Sequence, residues 1–379
     1  MKTKGALLWD FNQPWSVEEI EIGDPRDGEV KIQVEAAGMC HSDYHLVTGA
    51  IPMAGFPVLG GHEGAGIVTE IGPGVGHLEV GDHVVLSFVP SCGRCPACQE
   101  GMRNLCDMGA LSLGGASATD GSFRVSARNR DAYPMCLLGT FAPYMVVHEA
   151  SVVKIDKSIP FELACIVGCG VTTGYGSATN IAEVRPGDDV AVIGVGGVGM
   201  SALQGVAHSG ARHVFVVEPV EWKRDHAMKL GATHVYETIE AATAGAAAVT
   251  AGRMCKKVIV TVGELRGEDV DKYMGITAKG GTCVLTAMSG LTENQTTLNT
   301  SMLCLLQKTL KGNIFGGGNP GYDINMLLSL YKAGKLDLDS LVTREYALEH
   351  INDGYRDMLE GRNIRGIIRF TDADREVKV

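Results

Sequence analysis

The chain has 379 residues, 45% of them apolar and 20% charged, with a formal net charge of −11. At roughly 150 residues per domain this suggests about two domains, each with its own core, which excludes a disordered tail, a collagen-like chain or a small disulfide-stapled module. So acidic a chain is a poor non-specific partner for nucleic acid or anionic lipid, and neither is expected.

Read from the N-terminus, MKTKGALLWDFN carries a short apolar stretch that Asp10 and Asn12 end. No secretory leader is expected, and the compartment reads as cytoplasmic. Residues 1 to about 150 hold short β-branched runs, Val30–Val34, Gly66–Ile71 and His83–Phe88, between Gly, Pro and Asp turns. That predicts a β-rich region. From about 185 to 317 the pattern changes. Strand-like runs at Val190–Ile193, Val214–Val217, Val258–Val262 and Thr282–Leu285 alternate with helical stretches at Trp222–Leu230 and Ala241–Val249. Such alternation predicts a parallel sheet with crossover helices. The weakly polar stretch from Val190 to Ala207 approaches a membrane span in length, but its glycines fit strand, turn and helix better, so no membrane contact is expected. Asn313–Gly317 is read as a strand that extends a sheet across a two-fold, hence a homodimer or a dimer-based tetramer. Helices at Asp323–Ala333 and Leu348–Leu359, closed by Gly334 and Gly361, and a strand at Gly366–Phe370 complete the chain. The order fits one domain inserted into another.

The densest local signal is Cys92-x2-Cys95-x2-Cys98-x7-Cys106, with Gly93, Pro96 and Gly101 to bend the loop. Four thiolates can close a tetrahedral shell at about 2.3 Å and leave no open position, so this zinc would be structural. An iron–sulfur cluster, a zinc ribbon for nucleic acid and a set of free thiols are the alternatives; only Arg94 and Arg103 flank the array. The remaining cysteines, Cys136, Cys165, Cys255, Cys283 and Cys304, are expected to be buried or half-buried thiols.

Gly194-Val195-Gly196-Gly197-Val198-Gly199 fits G-x-G-x-x-G after an apolar strand and before a helix. A second strand ends at Glu218, about 20 residues beyond Gly199, where a ribose-binding acid is expected. Gly196 lets the backbone approach a pyrophosphate, whose charge rests on amides at the helix start. A carboxylate at 218 disfavours a 2′-phosphate, so NAD is preferred over NADP, although Lys223 and Arg224 lie just beyond. A tight turn without a ligand is the alternative.

Three further segments place ligand-type residues beside glycine: Cys40-His41-Ser42-Asp43-Tyr44-His45, Gly61-His62-Glu63-Gly64 and Gly168-Cys169-Gly170. Spacing alone cannot say that they meet. Two thiolates and an imidazole would form a catalytic zinc shell with a fourth position open. Together CHSDYH at 40–45, GHEGAGIV at 61–68, the four-cysteine lobe and VGCGVTTGYGSA at 167–178 resemble the zinc-dependent medium-chain alcohol dehydrogenases. The resemblance runs from the first strand to NIRGIIRF at 363–370. Within that family, LLQKTLKGNIFGGGNP at 305–320 and DMLEGRNIRGIIRF at 357–370 look like the actinobacterial nitrosoaniline-dependent, mycofactocin-associated branch.

The resemblance implies an α/β protein: a GroES-like β-rich catalytic domain, 1–170 with 318–379, carrying the structural lobe, and an inserted Rossmann domain, 171–317. It implies two zinc ions per chain and NAD. Cys40, His62 and Cys169 match the catalytic zinc ligands, with Glu63 beside them as an alternate or supporting carboxylate. Ser42 matches the hydroxyl that receives the alcohol proton and His45 the imidazole that passes it on. His41 and Arg365 match pyrophosphate contacts, Thr173 a residue against the nicotinamide, and Phe88 and Phe141 the walls of the substrate slot. Solvated loop histidines are the alternative for His41 and His45. Ile51 stands where the thiol-dependent formaldehyde dehydrogenases carry an acid, which points to a primary or aromatic alcohol.

The activity implied is oxidation of such an alcohol to the aldehyde by hydride transfer to NAD, the NAD tightly held and re-oxidised by an external mycofactocin-like carrier. The alternatives are a conventional alcohol or thiol-dependent formaldehyde dehydrogenase that exchanges free NAD and NADH, and a zinc-holding scaffold without catalysis.

Overall fold

The computed structural model describes residues 1–375. The chain folds as two compact units: Met1–Cys169 together with the chain from Asn319 onward, and Gly170–Gly318.

In the first unit two sheets are built from short strands. One has the order Arg130–Asp131, Val125–Ala127, Ser16–Ile22, Lys2–Leu8, Val58–Leu59, Tyr133–Pro134. The other runs Val152–Lys154, His83–Leu86, Glu63–Ile71, Glu29–Met39, Arg365–Arg369, Val342–Tyr346, with Tyr144–His148 also on Glu29–Met39. Glu29–Met39 is its centre. One edge of that strand pairs antiparallel with Glu63–Ile71, from Val30↔Ile71 to Gly38↔Glu63. Its other edge is divided: Tyr144–His148 takes residues 29–33, and Arg365–Arg369 takes residues 36–39. Nearly every residue of the strand is buried, and Val30, Ile32 and Val34 join the core with Val68, Val84, Leu86 and Ile368. Each such side chain contributes roughly 1.5–3 kcal/mol on leaving water. The register has a functional consequence, because it brings the end of Glu29–Met39 against the starts of Glu63–Ile71 and Arg365–Arg369.

In the second unit a parallel sheet has the order His234–Tyr236, His213–Val217, Asp189–Ile193, Cys255–Val260, Thr277–Leu285, Thr309–Gly312. By chain order within the unit this is 3-2-1-4-5-6, the dinucleotide-binding arrangement. All five residues of Asp189–Ile193 are buried, as expected of a parallel strand with both faces covered. That explains why its apolar residues run continuously rather than alternate. Helix Gly197–His208 follows the glycine turn, and helices Glu221–Lys229 and Ile239–Val249 lie where the periodicity predicts them.

Two sequence expectations are corrected. Asn313–Gly317 is not a strand: the edge strand is Thr309–Gly312, and Phe315–Gly317 form a tight helical turn. Phe315, Gly316 and Gly317 all have φ between 55° and 67° there, which a ladder cannot use, and the Phe315 side chain is buried. Cys304 is exposed, on the short helix Thr300–Leu305, whereas Cys165, Cys255 and Cys283 are buried and Cys136 is half-buried. No helix of the described residues is long and apolar enough to cross a membrane.

Candidate functional site

Cys40 caps helix His41–Thr48 directly after strand Glu29–Met39. The pairing Gly38↔Glu63 sets His62 and Glu63 beside it. Cys169 arrives from a third direction. A Cβ on Gly168 would overlap the carbonyl oxygen of Leu86, so only glycine lets that backbone approach the sheet, where Leu86 pairs with Gly64. As a result the ligand atoms of Cys40, His62, Glu63 and Cys169 lie within 4.8 Å of one another, all four residues buried.

Asp43, completely buried, organises this cluster. Its Oδ1 accepts from Gly61 N–H at 3.1 Å and pairs with His62 Nδ1 at 3.1 Å, while Oδ2 accepts from Cys40 N–H at 3.1 Å. This fixes the imidazole with Nδ1 towards the carboxylate. Nε2 is then buried without a hydrogen-bond partner among the described residues and is left on the side of the Cys40 thiol. Burial pulls the His62 pKa down, but Asp43 and the Cys40 thiolate outweigh it and raise it well above the usual histidine value. The neighbouring Cys169 thiol holds Cys40 well below the usual thiol value, whereas Cys40 and burial together raise Cys169 well above it. Two sulfurs, an imidazole nitrogen with no other partner and a carboxylate are a donor set that suits zinc.

Glu63 also has a rival partner. Its carboxylate pairs with the buried guanidinium of Arg365, over Gly38. Burial pushes the Glu63 pKa up to about 7, against the pull of Arg365.

Ser42 Oγ lies 3.7 Å from Cys40 Sγ. His45 is three residues further along the same helix, so it shares a face with Ser42, and it is buried. The His41 and His45 rings are 5.1 Å apart. Phe88, half-buried, sets its ring edge-on to His62 at 5.7 Å. Phe141 lies in the core, fully buried and edge-on to Trp15 at 5.6 Å.

In the lobe, Cys92, Cys95, Cys98 and Cys106 place their sulfurs within 4.8 Å of one another. Cys95 and Cys106 are 3.9 Å apart, and a tetrahedron with bonds of about 2.3 Å has an edge near 3.8 Å. A cluster of several irons would hold its cysteines further apart. Asp107 N–H donates to Cys95 Sγ and Cys92 N–H to Cys106 Sγ, each at 3.4 Å. The first bond helps lower Cys95 to about 7, while burial pushes Cys106 up to about 12.

In the second unit the glycine turn follows strand Asp189–Ile193. Gly194 has φ +83°, and a Cβ on Gly199 would overlap the Gly194 carbonyl oxygen. Apart from its chain neighbours, no heavy atom of the described residues lies within 4 Å of where a Gly196 Cβ would stand, so that side of the turn is open. Gly197 and Val198 begin the helix. Glu218, buried at the end of its strand, accepts from Val195 N–H at 3.1 Å and Val220 N–H at 3.0 Å. Lys223 is buried nearby, its pKa lowered by burial against the attraction of Glu218. Arg224 is turned to the Glu218 and Pro219 carbonyls. Thr173, on helix Gly170–Gly176, has its hydroxyl buried without a partner among the described residues.

Sequence reading missed Asp43, Gly38 and Tyr355. Tyr355 is buried, and its phenol pKa is raised well above the usual value by burial and by the charge of Asp43. A signal for Asp43 was present: an acid three residues after a helix cap commonly reaches back to the cap.

A parallel nucleotide fold and a β-rich unit with two clusters of metal-ligand type together define a metal-dependent dehydrogenase of the medium-chain class. The chain matches the alcohol dehydrogenase GroES-like domain over residues 26–157 and the zinc-binding dehydrogenase domain over 197–332. It is 72% identical to alcohol dehydrogenase B of Mycobacterium tuberculosis, covering 99% of this chain and all of that one. It is 46% identical to the NDMA-dependent alcohol dehydrogenase of Amycolatopsis methanolica, over 97% and 99% of the two chains. Among solved structures, benzyl alcohol dehydrogenase from Acinetobacter calcoaceticus superposes with a TM-score of 0.90 at 30% identity, over 98% of this chain and 100% of that one. The chain therefore belongs to the zinc-binding alcohol dehydrogenase family and is an oxidoreductase.

Proposed function

We propose that the protein oxidises a primary or aromatic alcohol to the aldehyde, using two zinc ions and NAD. The observation that carries this reading is the convergence of Cys40, His62 and Cys169 on one buried point. Zinc held there by Cys40, His62 and Cys169 would supply Lewis acidity, lowering the pKa of an alcohol hydroxyl toward neutrality, and NAD would supply the hydride acceptor. The chain does the rest. Ser42, beside Cys40, takes the hydroxyl proton, and His45 on the same face of the helix passes it on, with His41 alongside. Asp43 keeps Nδ1 of His62 occupied so that Nε2 is free to bind metal. Phe88, against His62, gives an apolar wall suited to an aromatic or alkyl group, and Phe141 backs the core behind it. The four-cysteine lobe holds the second zinc and fixes its loop.

Glu218 is suited to receive the adenosine ribose hydroxyls, and its charge disfavours NADP. The open face at Gly196 suits a pyrophosphate, and Thr173 offers an unsatisfied hydroxyl to the nicotinamide. The relationship to an NDMA-dependent enzyme favours resident NAD re-oxidised by an external carrier over free exchange. Under this reading the enzyme works in the cytoplasm; a homodimer or dimer-based tetramer formed by sheet extension would have to use the edge strand Thr309–Gly312, since residues 313–317 form no strand.

Native mass spectrometry of the purified protein tests the core of this reading. Two zinc ions and one NAD per chain are expected, together with reduction of a nitroso dye by alcohol without added NAD. A mass showing one zinc, or turnover only when NAD is supplied, would overturn the corresponding part.

A further inference from the structure

A polar cavity lies wholly in the first unit and is not used by the chemistry above. Its volume is about 450 Å³, within the range of small-molecule sites. The protein carries a net charge of −11, yet the cavity walls include Arg94, Arg103 and Lys154 against a single carboxylate, Glu149. That carboxylate is paired with His77 at 3.2 Å, and Lys154 with Asp82 at 2.8 Å. Arg94 and Arg103 have no carboxylate partner among the described residues; zinc on the four thiolates of the adjoining lobe would carry two negative charges and offset them in part, but their N–H donors stay open to the cavity.

Other groups in the wall are also unsatisfied. The Ser91 hydroxyl and the side-chain oxygen of Asn319 are buried without hydrogen-bond partners among the described residues. The 13-residue helix Pro320–Lys332 begins here, with Asn319, Pro320 and Gly321 in the wall. Asn319 N–H is taken by Asp323 at 2.6 Å, and Pro320 has none, which leaves Gly321 N–H at the positive end of the helix.

Two planar forks, a hydroxyl and a backbone N–H match a tetrahedral dianion, to which guanidinium groups bind through paired oxygens. The volume exceeds what an inorganic ion fills. We propose that this cavity is a binding site for a small phosphate monoester, with its phosphoryl group held by Arg94, Arg103 and the Gly321 N–H and its organic part towards the Asn319 side-chain oxygen. Because Arg94 lies between Cys92 and Cys95, occupancy also stiffens the cysteine loop.

Calorimetric titration of the zinc-loaded enzyme, with dinucleotide present to occupy the glycine turn, tests this with two probes, inorganic phosphate and glycerol 3-phosphate. One saturable site per chain is expected for glycerol 3-phosphate, weakening at least tenfold in the double variant Arg94→Gln/Arg103→Gln. Tighter binding of the ester than of free phosphate supports the organic subsite; equal binding reassigns the site to the free ion and overturns the ester. Absence of a saturable heat, or undiminished binding in the double variant, overturns the site altogether. Should the double variant lose zinc from its lobe, Asn319→Asp decides instead: a new carboxylate at the helix start is expected to weaken binding at least tenfold, and unchanged binding overturns the proposal.

Discussion

Glu63 and Arg365 stand 302 residues apart in the chain and form a buried ion pair across Gly38. The glycine is what permits the pair, because a Cβ there would overlap the Glu63 carboxylate and press on Arg365 at 3.1 Å. Gly38→Ala is expected to separate them. Breaking a buried pair costs about 3–5 kcal/mol, measured as a lower urea midpoint, with loss of bound zinc. Gly275→Ala serves as the comparison. It lies in helix Val270–Ile276, where no described atom beyond its own helix backbone and chain neighbours comes within 4 Å of its Cβ position, and it should gain up to about 1 kcal/mol.

Asp43→Asn keeps the size of the side chain and removes its charge. Three N–H groups now converge on that carboxylate. An amide must offer one donor among them, and the imidazole loses its hold. Zinc affinity at the Cys40 cluster is expected to fall about 10–100-fold, read by competition with a chelator, while the lobe keeps its zinc.

Zinc-stripped protein should show a pH-dependent difference between lobe thiols. Cys95 is lowered to about 7 and Cys106 raised to about 12. A lowered thiol pKa means more thiolate at a given pH. Alkylation at Cys95 should therefore climb as pH passes through 7, with Cys106 slow up to pH 9. Peptide mass spectrometry after timed iodoacetamide treatment reads both sites, and equal rates would contradict the prediction. Adding zinc back should protect both and release protons.

The two glycines of the turn should separate folding from binding. Gly196→Ala places its methyl in open space, so the melting temperature of the dinucleotide-free protein should scarcely change. Dinucleotide affinity should fall at least tenfold, because the methyl occupies the approach of the pyrophosphate. Gly199→Ala instead drives its Cβ into the Gly194 carbonyl, and about 1–3 kcal/mol of stability should be lost. Thermal melts with and without NAD distinguish the two.

Much of this site was legible because its parts are local. The four lobe cysteines fall within one loop, and the glycine turn, its strand and Glu218 are joined by one crossover. Continuous apolar runs such as Val190–Ile193 also announced a sheet covered on both faces. Less visible were features set by register. Nothing near Gly38 announces that Arg365 will lie across it, and the role of Asp43 depends on Gly61 and His62 arriving beside helix His41–Thr48. The false strand at Asn313–Gly317 had a related cause: apolar and glycine residues fit an edge strand in pattern, but their left-handed backbone turns the chain away.

The division of one edge of strand Glu29–Met39 between Tyr144–His148 and Arg365–Arg369 bears on biosynthesis. The parallel sheet draws on an uninterrupted stretch of chain, so it can close while translation continues. The metal cluster cannot gain its arginine until residue 365 has cleared the ribosome. A nascent chain stalled shortly before that point would carry a finished nucleotide fold and an incomplete centre, which becomes whole only once Arg365 has been made and its strand has paired with Glu29–Met39.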